Sequence, residues 1–297
     1  MRTKILKTLS FALILGSLTS VSVNAVTNGE NVEKWNGYTI SIHLNDTFKA
    51  ASLQNELNPE MKSQYCSATL TSPTIAVTSG WCVTNSENHK FVETLKPSDI
   101  FIGAGVTLNS SMVKYEVESI KVHPDYDPMR YLNDIAVIKL KNEISESRPV
   151  AVGNSKKDTQ AEIYGWGARY PNWENSGYSF AENLQYGEVT ILPNNVCSGK
   201  KTFTLEGNFL YPNPSNEVRK NIDKFHCAIG VTSEKVDVYK NSQFVTLCSA
   251  DEGSGLVDTS INTLVGVGLH DINCASAAPE FFTKTSSYKS FILKASQ

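Results

Sequence analysis

The stretch Leu247 to Asp258, LCSADEGSGLVD, sets a cysteine, two adjacent carboxylates and a Gly-Ser-Gly run ahead of an apolar Leu-Val pair. What Asp251 and Glu252 do there depends on the chain to either side. Cys248 is one of six cysteines, with Cys66, Cys82, Cys197, Cys227 and Cys274, and all six follow residue 25. An even count in an exported chain reads as a disulfide framework, although counting leaves the pairing open. No two cysteines have CxxC spacing and there is no HExxH, so no metal or other cofactor is expected.

Export is read from the first 25 residues. Arg2, Lys4 and Lys7 form a basic start, TLSFALILGSL an apolar run, and SVNA a small-residue exit, the pattern of a signal peptide cleaved before Val26. The apolar run falls short of the roughly 20 residues that span a bilayer as a helix, and no later stretch approaches it, so no membrane span is expected. Losing three basic and no acidic side chains takes the formal charge from −3 to −6, which disfavours nucleic acid as a partner. The chain is expected in a periplasm or outside the cell.

Downstream, short β-rich runs such as GYTISIHL, DIAVIKLK, YGEVTIL and TLVGVGL are punctuated by Gly, Pro, Asn and Ser, the signature of an all-β barrel or sandwich. SSYKSFILKAS, with Tyr288, Phe291 and Ile292 at helical spacing, reads as a C-terminal helix. The long polar segment between Cys197 and Cys227 reads as a solvated excursion, and RYPNWENSGYSFAEN as a second loop carrying Trp173.

Four stretches in order, CSATLTSPTIAVTSGWC (66–82), NDIAVIKL (133–140), YGWG (164–167) and CSADEGSGLV (248–257), resemble the landmark segments of the chymotrypsin/trypsin family of serine proteases. PEFFTKT and the final helix fit as well, so the resemblance covers essentially the whole chain after residue 25. It implies two packed six-stranded antiparallel β-barrels with a cleft between them. The implied limits are a first barrel over about 26–150, a second over about 151–285 and a helix over about 286–296. It also implies the disulfides Cys66–Cys82, Cys197–Cys227 and Cys248–Cys274.

Carried over position by position, the resemblance puts the triad aspartate at Asp134, the histidine at Trp81 and the nucleophile at Glu252. An imidazole takes the serine proton and passes it to the leaving amine, whereas indole is a donor only. A carboxylate at 252 is a poor nucleophile toward amides and places negative charge where an oxyanion must form. Ala250 replaces a glycine of the oxyanion loop. Asp251 and Val26 match the family's ion pair between the carboxylate and the new N-terminus. Thr246 matches the floor of the specificity pocket, Glu280 its wall, and Leu269 and His270 the substrate-binding edge. His43, His89, His123 and His226 lie outside the motifs and read as structural or solvated.

The leading expectation is therefore an exported, catalytically inactive homologue that binds a protein or peptide partner. Two alternatives are an endopeptidase in which Ser254 becomes the nucleophile, and a hydrolase using Asp134 and Glu252 as paired carboxylates.

Overall fold

Runs rich in β-branched residues prefer extended backbone and pack well on a pleated surface. In the computed structural model the described residues are 26–45, 64–87, 90–108, 112–172, 177–205, 207–210, 212–232, 243–269, 274 and 276–297. Residues 1–25, expected to be a signal peptide, and His89, Trp173 and His270 lie outside them.

A two-residue strand β1 (Glu30–Asn31) is followed by β2 (Thr39–Leu44), β3 (Gln64–Ser72) and β4 (Ile75–Thr78). A hairpin of β5 (Thr84–Glu87) and β6 (Lys90–Thr94) then precedes β7 (Ile100–Ala104), β8 (Val113–Val122) and β9 (Ala136–Leu140). Strands β2-β3-β4-β9-β8-β7 close into a six-stranded antiparallel barrel. Ile40, Ile42, Leu70, Ile102 and Ile138 are buried in its core.

The second half begins with β10 (Ala151–Val152), β11 (Gln160–Gly165), the hairpin β12 (Ala168–Asn172) and β13 (Gly177–Phe180), and β14 (Gln185–Ile191). It continues through α1 (Asn194–Cys197), the hairpin β15 (Phe203–Leu205) and β16 (Asn208–Leu210), α2 (Asn216–Lys220), β17 (Phe225–Val231) and β18 (Phe244–Val245). Strands β19 (Gly255–Asp258), β20 (Thr263–Gly268) and β21 (Glu280–Lys284) and helix α3 (Lys289–Ala295) complete the chain. The ring β14-β11-β19-β20-β21-β17 closes through Thr190↔Ile229 and Ile191↔Ala228, giving the second six-stranded barrel.

Two features depart from a linear reading of the chain. Residues 26–31 precede the first barrel in sequence but join the second: Glu30 pairs with Tyr186 of β14, and Val26 is buried among Ile163, Val189, Val245 and Leu256. The Cys197–Cys227 segment is also more ordered than its polarity suggested. Its hairpin and α2 bring Leu210 and Val218 into a cluster with Leu192 and Phe225, an apolar pattern too sparse to register as an element. His226, at the end of that segment, is a buried residue of β17, and burial first, then Lys284, lowers its pKa to about 4.

The disulfides join Cys66–Cys82, Cys197–Cys227 and Cys248–Cys274. No helix of the described residues is long and apolar enough to cross a membrane. The Cys66–Cys82 bridge spans a sequence separation of 16. Replacing both cysteines by alanine should therefore lower the unfolding free energy by about 3 kcal/mol in urea titration, by releasing loop entropy in the unfolded chain.

Candidate active site

The positions that the resemblance assigns to a cleft are linked by contacts involving backbone groups. Trp81 opens a single 3-10 turn, Trp81–Val83, and its backbone N–H donates to Oδ1 of Asp134 at 2.9 Å. Asp134 is 1% exposed, and the Tyr126 ring closes over the same place: a Cβ added to Gly80 would meet Asp134 Oδ1 and the Tyr126 ring, each at 3.2 Å. Burial first, then the charge of Asp134, pushes the Tyr126 phenol upward, so it stays neutral.

Glu252 belongs to the same neighbourhood. Its carbonyl oxygen accepts from the Ser67 N–H at 2.8 Å and lies 3.3 Å from the Cys82 sulfur, one residue beyond Trp81. Its residue exposure is 6%. The loop that presents it is tightly specified. Ala250 is at φ 72° and Gly253 at φ 78°, both in the left-handed region. At Gly253 a Cβ would meet Thr78 Oγ1 at 2.2 Å and the Ser67 carbonyl at 2.4 Å, so only glycine fits. Ala250 holds its conformation at a cost of about 1–2 kcal/mol, and its carbonyl accepts from the Gln64 amide at 2.9 Å.

Asp251 is fully buried. Oδ1 accepts from the Gly167 N–H at 2.7 Å, Oδ2 from the Cys248 N–H at 3.2 Å, and the Val26 backbone N–H is a further donor. Burial pushes this carboxyl up to about 8, with the charge of Glu252 adding to the rise and the three backbone donors opposing it. A Cβ at Gly165 would come within 1.9 Å of Asp251 Oδ1, and one at Gly167 within 2.5 Å of its carboxyl carbon. The glycines of YGWG therefore make room for Asp251. Their spacing around Trp166 was visible in the sequence, but their partner was not.

The remaining site residues have definite places. Ser254 is fully buried and donates its hydroxyl to the Tyr164 carbonyl. Thr246 pairs with Thr27, their hydroxyls 2.8 Å apart, inside the second barrel. Glu280, on β21, is 2% exposed, and Leu269 helps line a cavity of about 200 Å³ with Tyr131, Pro214, Val218 and Phe281. His43 meets the Ser41 hydroxyl at 2.8 Å and stacks on Phe101 within the first barrel, and His123 packs against Tyr288 and Phe291. Gln64, Tyr126 and Thr27 carry no motif that would have singled them out. Among the described residues no group of three or more His, Cys, Asp or Glu is placed to hold a metal ion.

The trypsin family model matches residues 47–292. The chain is 26% identical over 238 residues to mouse transmembrane protease serine 11G, covering 76% of this chain and 48% of that protein. It is 27% identical over 238 residues to pig tissue-type plasminogen activator, with 73% and 38% covered, and 24% identical over 258 residues to a trypsin of Sarcophaga bullata, with 84% and 86% covered. The chain spans about half the length or less of the first of these relatives.

The strain at Ala250 gives a direct test of the loop geometry. Ala250→Gly should raise stability by about 1 kcal/mol, read as a Tm increase of about 2–4 °C in differential scanning calorimetry.

Proposed function

The chain belongs to the trypsin family of serine proteases, and from that premise we propose that it is an exported member without peptidase activity that binds or regulates a protein or peptide partner. The observation that carries this reading is Trp81. Its backbone N–H donates to Asp134, and the family resemblance puts residue 81 where an imidazole would stand between aspartate and nucleophile. Indole has no basic lone pair with which to accept a proton there. Glu252 adds a carboxylate where a hydroxyl nucleophile would stand.

Neither alternative gains support from the geometry. The hydroxyl of Ser254 is committed to the Tyr164 carbonyl in a fully buried setting. Asp134 and Glu252 are both buried, and Asp134 Oδ1 already accepts from Trp81.

Export is supported by the three disulfides and by the basic-apolar-small pattern of the first 25 residues. Cleavage before Val26 would leave an ammonium beside Asp251, where the backbone N–H of Val26 now points. The pair would then form on export, without a separate activating cut.

The first test is hydrolysis of a labelled generic protein by the native chain and by a Trp81→His, Glu252→Ser variant. Native turnover should lie about 10⁴-fold or more below the variant. Native hydrolysis that survives Glu252→Ala would overturn the reading.

The ion pair is tested by pH. With Val26 inside a peptide bond, Asp251 has a folded pKa of about 8 against an unfolded value of 3.8. The stabilising protonated form is then fully present below 3.8 and lost as pH rises toward 8. An ammonium at Val26 favours the carboxylate and removes that loss. A chain beginning at Val26 should keep its Tm from pH 5 to pH 8, while one with a short N-terminal extension should lose stability over that range. Parallel curves would count against the pair.

A further inference from the structure

The outward faces of the two barrels treat their carboxylates differently. On the first, two strand carboxylates of β8 are each met by a lysine: Glu118 by Lys139 at 3.0 Å and Glu116 by Lys141 at 2.5 Å. On the second, the register of β11 and β14 puts Glu162 directly opposite Glu188, two like charges in the position where cross-strand pairs repel. Glu30 of β1 stands opposite Tyr186 at the next outward position along the sheet. Among the described residues no lysine or arginine is within ion-pair distance of these three carboxylates.

Beside the acids is an aromatic surface. Tyr164 lies directly across from Tyr186, their rings 5.9 Å apart and inclined at 30°, and Tyr38 backs Tyr164 edge-on at 5.7 Å and 85°. Tyr164 donates its hydroxyl to Glu162 at 2.6 Å, and Tyr186 to Glu30 at 2.9 Å. Those bonds orient the rings and leave each carboxylate with further acceptor sites. Glu30 and Glu188 are exposed, Glu162, Tyr164 and Tyr186 are partly buried, and Tyr38 is buried.

We propose that this face of β1, β14 and β11 is a docking surface for an extended, lysine- or arginine-bearing segment of a partner polypeptide. Charge complementarity selects the partner. Three uncompensated carboxylates call for cations, and tyrosine rings attract an ammonium or guanidinium over their faces. Repeat distance selects an extended chain. The rows Glu162/Glu188 and Tyr164/Tyr186 are two residues apart along the strands, about 7 Å, which is also the spacing of alternate side chains in an extended peptide. The surface lies on the outside of the second barrel and uses none of the cleft residues, so it stands whether or not the cleft is catalytic.

The test uses a fluorescein-labelled peptide with arginine at every second position, separated by glycines, and a counterpart with glutamine in place of arginine. Fluorescence anisotropy with the full chain at low ionic strength should give at least ten-fold tighter binding of the arginine peptide. The variant Glu162→Gln/Glu188→Gln should bind it at least five-fold more weakly, and Tyr186→Ala about three-fold more weakly, with Tyr186→Phe close to the wild type. Folding is controlled by Glu188→Gln alone, whose Tm should equal or exceed that of the wild type because a cross-strand repulsion is removed. Equal affinity for the two peptides would overturn the proposal, as would undiminished binding by the double glutamine variant. Self-association that Glu162→Gln/Glu188→Gln abolishes, without arginine-peptide binding, would assign the face to a second copy of the chain and overturn it equally.

Discussion

A carboxylate with no exposed surface must find its hydrogen bonds inside the protein, and the burial of Asp251 organises everything around it. Its donors are main-chain groups from three distant parts of the chain: Val26, Gly167 and Cys248. Meeting them requires that nothing but hydrogen extend from Gly165 and Gly167, and that the N-terminal segment cross to the second barrel, where Val26 fills part of the core. The same loop then turns through two left-handed residues, Ala250 and Gly253, before entering β19. Gly253 is pressed against Ser67 and Thr78 of the first barrel, so the constraint that buries Asp251 also fixes how Glu252 faces the seam between barrels.

Main-chain groups make several of the contacts around these positions. Trp81 reaches Asp134 with its backbone N–H, Glu252 reaches Ser67 with its carbonyl, and Ala250 reaches Gln64 in the same way. Such contacts do not depend on the side chain borne by residue 81 or 252. This is the physical basis on which the proposed loss of catalysis is compatible with an unaltered fold: chemistry needs an imidazole and a hydroxyl, whereas architecture needs peptide groups in register. The outer face of the second barrel poses the opposite relation, because there the side chains of Glu162 and Glu188 are set against each other by a register that the barrel cannot relax without turning its apolar face outward.

Much was legible in the chain before any coordinate. The β-rich runs and their turn residues implied an all-β architecture, and the four ordered segments from Cys66 to Val257 implied two six-stranded barrels and a pairing of cysteines, because a family pattern records long-range contacts that local propensity does not. The expectation that Trp81 and Glu252 occupy the histidine and nucleophile positions rests on the same pattern, and the chemistry of indole and carboxylate needs no structure to state. The interior of the long disulfide loop was not legible: Leu210 and Val218 are too few to give a period, and only their joint packing with Phe225 makes the segment part of a core.

What the sequence determined alone is the list of groups available: no histidine at residue 81, an acid at 252, glycines at 165, 167 and 253. The tertiary structure decided which of them meet. Ser254 became a buried donor to Tyr164, Thr246 turned to Thr27, and Gln64 reached Ala250 across 186 residues of sequence, none of it marked by a local pattern. Strand register made the same kind of decision for Glu162 and Glu188. Each is an ordinary polar residue of an alternating strand until barrel closure and hairpin register set them opposite one another, since a contact between remote residues is a property of the closed sheet and not of either strand.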